Sequence, residues 1–136
     1  PNLLLGKKLS RQNMVIVDAN IILRYLLADS ADASVKAQEI IERQPFFLPT
    51  EVLAEVVYVL ERVYHVERAL ISTTLLDFLN NPHVSVSNLL VLQTALAKYK
   101  AKKLDFVDLL LYGYHKVDQV TIMTFDQKLN KLLQGR

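Results

Sequence analysis

The sequence predicts an α/β fold in which a parallel sheet carries helices on its faces. Three observations predict it. Short apolar, strand-like runs alternate with longer runs of helical periodicity, and parallel strands need such crossover helices. The chain has 136 residues, enough for one domain with its own core. Its residues are 51% hydrophobic and 22% charged, a balance that excludes a disordered chain.

The first strand is "MVIV" (14–17), a short apolar run. Helical spacing follows in "ANIILRYLL" (19–27) and "ASVKAQEIIERQ" (33–44), the second started by Asp29 and Ser30. "FFL" (46–48) reads as a second strand closed by Pro49, after which Thr50 is placed to cap the helix "EVLAEVVYVLERVY". "VERALISTTLLDFLNN" is a further helix, stopped by Asn80, Asn81 and Pro82. "HVSVS" (83–87) alternates as a third strand does, and "NLLVLQTALAKYKAKK" and "DFVDLLLYGYHKV" are helical. "VTIMTF" (120–125) is a fourth strand and "DQKLNKLL" a last short helix.

Residues 1–13 differ from the rest in charge. They hold Lys7, Lys8 and Arg11 and no acid. Without them 13 basic residues face 14 acidic ones, a net of −1 against +2 for the whole chain. They read as a leader, introduced upstream or disordered, with the natural start at Met14 and one domain over 14–136. Net charge therefore identifies no partner. Cysteine is absent, which excludes disulfides, thiolate catalysis and cysteine-based zinc sites and suits a reducing cytoplasm. No apolar stretch approaches the roughly 20 residues that span a bilayer, so no membrane partner is expected. The early "LLL" is too short for a signal-peptide core.

In parallel sheets ligands bind beyond the carboxyl ends of the strands. Four acids fall at or near that edge. Asp18 ends the first strand between two apolar runs, where a buried, unpaired carboxylate is costly. Glu55 interrupts the apolar helix "VLAEVVYVL", Asp108 lies early in the helix before the fourth strand, and Asp126 follows that strand. Each has a purely structural reading. Asp18 and Asp126 suit helix caps, Asp108 suits a first-turn acid favoured by the helix dipole, and Glu55 fits a solvated stripe with Glu51, Tyr58 and Arg62. The set says more. Four carboxylates in one pocket repel one another unless cations compensate them. Hard oxygen donors without cysteine suit Mg²⁺ or Mn²⁺. His65, His83 and His115 are scattered and show no ligand spacing.

"VIVDAN", "LPTEVLAEVVYVL", "LDFVDLLL" and "TIMTFD" resemble the four acidic motifs of PIN-domain nucleases, most closely VapC-type toxins of bacterial toxin–antitoxin pairs. The resemblance covers residues 14–134 in order. It implies a three-layer α/β/α fold with a central parallel sheet of four or five short strands. It implies that Asp18, Glu55, Asp108 and Asp126 are the catalytic, metal-binding acids. Asn20 and Thr124 match polar positions that orient carboxylates or water. The implied activity is a Mg²⁺- or Mn²⁺-dependent endoribonuclease leaving 5′-phosphate and 3′-hydroxyl ends. The implied partners are an RNA substrate, a cognate antitoxin and a second copy in a homodimer, with the apolar segments "IILRYLL" and "LLDFL" as candidate contact faces.

An acidic pocket repels RNA, so grip must come from elsewhere. Arg24, six residues after Asp18, is placed to face the pocket mouth. Lys98, Lys100, Lys102 and Lys103 suit phosphate contacts or, equally simply, a solvated helix end. Tyr99, Tyr112 and Tyr114 suit base stacking or the core. Two rivals stand against the nuclease. A haloacid-dehalogenase-like phosphatase needs a second acid two residues after Asp18, where Asn20 stands. A non-catalytic PIN-like RNA- or protein-binding module would ordinarily have lost acids, and all four positions are filled.

Overall fold

The computed structural model describes residues 14–28 and 31–135. The leader and the Asp29/Ser30 helix start lie outside them. Helix α1 (Ala19–Leu27) begins where Asp18 caps it and ends at Ala28, whose left-handed backbone (φ 48°) returns its N–H to the Arg24 carbonyl. Helix α2 (Ala31–Arg43) leads into strand β1 (Phe46–Phe47). Helix α3 (Thr50–Arg62) follows at once. Thr50 is its first helical residue and not its cap. Pro49 occupies the cap position, and its carbonyl accepts from the Val52 and Leu53 N–H groups at 3.0 and 3.1 Å. Helix α4 (Arg68–Leu79), strand β2 (Val84–Ser85), helix α5 (Leu89–Tyr99), helix α6 (Phe106–Asp118) and helix α7 (Gln127–Leu133) complete the order.

The sheet is parallel and small. Phe46 pairs with Val84 and Phe47 with Ser85. On the other side of β1, Ile16 adds one parallel bridge to Phe47. The α/β class holds, but the expected sheet of four or five strands does not form among the described residues. Two strands and one bridge do. The segment 120–125 forms no ladder. Its ends are committed elsewhere. Gln119 is left-handed (φ 58°) and turns the chain out of α6. His115 Nδ1–H donates to the Val120 carbonyl at 2.9 Å, and Asn130 Nδ2 donates to the Thr124 carbonyl at 2.9 Å. Met123 and Phe125 consequently stand in solvent, at 88% and 104% exposure.

The core is one cluster that draws on both strands' neighbours and on every helix but the rim of α2. Ile22, Ile41, Phe46, Leu48, Leu53, Leu75, Leu96 and Leu109 are all buried in it. Burying a side chain of this kind is worth about 1.5–3 kcal/mol. The pair α5–α6 is the most extensive helix contact. Gly113 makes it possible, because a Cβ there would stand 2.9 Å from the Val91 carbonyl oxygen. The apolar faces expected to meet a partner are largely used internally. Ile22, Leu23, Leu75 and Phe78 are buried, and the Tyr25 and Phe78 rings pack at 6.0 Å. Among the described residues no helix is long and apolar enough to cross a membrane.

Candidate functional site

The four candidate acids sit on helices that pack as a chain of neighbours: α1 on α3, α3 on α6, α6 on α7. Asp18 is exposed, and one of its oxygens accepts from the Ile21 N–H at 3.0 Å. Asp126 repeats this device. Its side chain accepts from the Leu129 N–H at 2.8 Å, and its own N–H donates to Thr124 Oγ1 at 3.0 Å. Both acids are therefore helix caps, as their positions suggested, and each cap occupies one carboxylate oxygen. Thr124 is the residue that fixes the turn around Asp126.

Asp108 is half-buried in the first turn of α6. Burial pushes its carboxyl above the usual carboxylate range, and the negative charges of Asp105 and Asp126 push it further. Segments from two helices thus place like charges in one another's field. Glu55 lies on α3 and is exposed. Asn20, in the first turn of α1, is exposed too, and Arg24 on the next turn is half-buried.

The donor chemistry suits a hard divalent cation: hard carboxylate oxygens, two of them crowded around a third. The spacing is looser than that chemistry asks. Among the described residues no group of three or more His, Cys, Asp or Glu side chains stands close enough to hold an ion. The charge of Asp126 reaches Asp108 from the next helix.

Asp105 holds the N-cap position of α6, but its side chain makes no capping bond. The carboxylate instead faces Arg62 Nη2 at 3.9 Å in an exposed pair.

A residue that sequence reasoning passed over organises the neighbouring turn. Arg68, the first residue of α4, donates from Nε to Glu61 Oε2 at 2.8 Å and from Nη1 to the carbonyls of Lys102 and Leu104, both at 2.8 Å. Its guanidinium lies 4.0 Å over the Tyr99 ring, and the Tyr99 hydroxyl donates to Glu61 Oε1 at 2.7 Å. Burial pushes the Glu61 carboxyl up, but the Tyr99 hydroxyl and Arg68 outweigh it and hold the group below its usual range. Burial, helped by Glu61, pushes the Tyr99 hydroxyl well up. The only hint in the sequence was an arginine directly before an apolar run, "VERALI".

This clamp settles the tyrosines and splits the lysines. Tyr99 and Tyr112 are core residues at 1% and 7% exposure, while Tyr114 reaches the surface. Lys98 Nζ lies 5.6 Å over the Tyr112 ring. His65 is exposed, His115 holds the Val120 carbonyl, and His83 Nδ1 is buried without a hydrogen-bond partner.

The PIN domain family model matches residues 15–132. No curated protein and no solved structure matches the chain.

Proposed function

This chain belongs to the PIN domain family, and on that premise we propose that it is a Mg²⁺- or Mn²⁺-dependent endoribonuclease, the toxin of a toxin–antitoxin pair. The observation that carries the reading is Asp108: a half-buried carboxyl raised by burial and by Asp105 and Asp126, with a hydroxyl, Thr124 Oγ1, fixing the turn of the second acid. Uncompensated carboxylates gathered from separate helices are a functional-site signature with a physical basis. Asp108 and Asp126 form the nucleus of the site, with Asp18 and Glu55 as the remaining acids.

Asp108 and Asp126, with Asp18 and Glu55, would hold the divalent ion, which would supply an acidified water and charge neutralisation at the phosphoryl oxygens. The chain's own groups do the rest. Asp18 and Asp126 each keep one oxygen on a helix N-terminus, which fixes the direction of the other. Asp108, near the positive end of α6, stays available as the charged ligand. Thr124 and Asn20 orient carboxylate or water, and Arg24 offers a cation to the substrate phosphate. The remaining partners in this reading are a cognate antitoxin, a second copy of the chain, and an RNA.

The test pairs chemistry with physiology. Purified residues 14–136 should cut a structured RNA only with Mg²⁺ or Mn²⁺ and leave para-nitrophenyl phosphate intact. Expression without a partner should arrest growth, and Asp18→Asn should relieve the arrest at matched soluble levels. RNA binding without cutting would favour the non-catalytic module. Cleavage of the small phosphate ester would favour the phosphatase.

A further inference from the structure

Between the turn that joins α5 to α6 and helix α7 lies a concavity of about 330 Å³, lined by Lys102, Lys103, Leu104, Lys128, Lys131 and Leu132. Its floor is apolar and fixed, since Leu104 and Leu132 are 7% and 5% exposed. Its rim is four exposed lysines. Lys128 and Lys131 are three residues apart on α7, so they share one side of the helix. No acid pairs with any of the four among the described residues, where the ion pairs are Arg62–Asp105 and Arg68–Glu61. Four like charges around one hollow repel, and an anion from outside the chain relieves them.

Two further facts tie the hollow to the acidic site. Arg68 holds the carbonyls of Lys102 and Leu104, so the lysine-bearing turn is fixed before any ligand arrives. The two walls are also the acid-bearing segments: Lys103 precedes Asp105 by two residues, and Lys128 follows Asp126 by two.

We propose that this groove binds backbone phosphates of the RNA strand beside the acidic site, with Lys128 and Lys131 of α7 acting together with Lys102 and Lys103. The inference rests on the nuclease reading for the identity of its ligand. Lysines serve as point charges for phosphate, which positions a strand without reading its sequence. The leucine floor accepts the apolar face of a sugar or base.

The experiment measures binding apart from cutting. In an Asp108→Asn background, affinity for a single-stranded RNA oligonucleotide is followed without divalent ions across a monovalent salt series. Each phosphate contact on a single strand contributes about 0.7 to the slope of log affinity against log salt. Lys128→Gln with Lys131→Gln should therefore flatten the slope by about 1.4. Lys36→Gln with Lys116→Gln, which removes two exposed charges outside the groove, should leave the slope as it was. No flattening in the groove pair, or equal flattening in the control pair, overturns the groove. Cleavage by the chain with Asp108 intact is scored separately. Groove-dependent binding without any Mg²⁺- or Mn²⁺-dependent cutting overturns the nuclease reading and leaves the groove standing.

Discussion

Two charged regions of this molecule lie on either side of the start of α6, and they are built in opposite ways. At the Arg68 clamp a cation, a carboxylate and a phenol face one another, and three backbone carbonyls at Tyr99, Lys102 and Leu104 accept from the same Arg68 nitrogen, Nη1. At the acidic edge Asp108 meets Asp105 and Asp126, which carry its own sign, and among the described residues Asp105 alone of the three is in an ion pair, with Arg62. A charge set that is neutralised from within serves the fold. One that is left uncompensated costs stability and requires something from outside the chain. The same short stretch, 99–108, belongs to both, so the clamp fixes the segment that carries Asp105 and Asp108.

The largest expected effect breaks the functional side alone. Asp108→Asn keeps shape and removes charge, so RNA cleavage should fall by orders of magnitude while the melting temperature does not drop. Retained cleavage in that variant would remove Asp108 from the site. Breaking the structural side should do the reverse first. Arg68→Met leaves Glu61 with only the Tyr99 hydroxyl and takes the side-chain donor from three carbonyls, and unfolding by urea should show a loss of about 2 kcal/mol. Arg68→Lys should recover only part of it, because an ammonium cannot fork between partners as a guanidinium does. Full recovery by lysine would mean that charge alone matters there.

Metal sharpens the contrast. Mg²⁺ or Mn²⁺ should raise the melting temperature by mass action, and Asp18→Asn should reduce that rise. An identical response in both chains would separate Asp18 from the metal.

The two regions should also answer pH in opposite directions. Glu61 has a lowered folded pKa, so its contribution is present above the ordinary glutamate value and is lost as pH falls through the folded one. Asp108 has a raised folded pKa, so its folded-state penalty appears as pH rises from the ordinary aspartate value, about 3.9, through the folded one. Metal-free Asp108→Asn should therefore melt higher than wild type at neutral pH, and the advantage should vanish on acidification through that window. A constant difference across the range would contradict the sign.

The smallest effect is at Asp105. A working cap there would cost about 1 kcal/mol on replacement by alanine. Its side chain makes no cap bond and joins only an exposed ion pair. Asp105→Ala should thus cost at most about 0.5 kcal/mol and leave cleavage intact. A loss of a full kcal/mol in thermal unfolding would restore the cap.

The sequence by itself determined what depends on neighbours in the chain. The helix α1 spans the expected 19–27, Asp18 and Asp126 are the caps their settings allow, and Asp108 is the third residue of its helix. Capping and helical periodicity are settled within one or two turns, so a reader of residues can see them. The family was legible for a related reason, since four short acidic motifs stood in order along the chain and the family match spans 15–132. Tertiary structure alone decided the rest. Whether 120–125 pairs depends on competition for its carbonyls from His115 and Asn130, and alternating apolar residues do not reveal that competition. Whether Asp105 caps or pairs depends on where Arg62 arrives from α3. The division of the lysine run follows from Arg68, on a helix that precedes it by some thirty residues, and from α7, which follows it. Hydrogen bonds and charges act over a few ångströms in space, and only the folded chain fixes which distant residues come within that range.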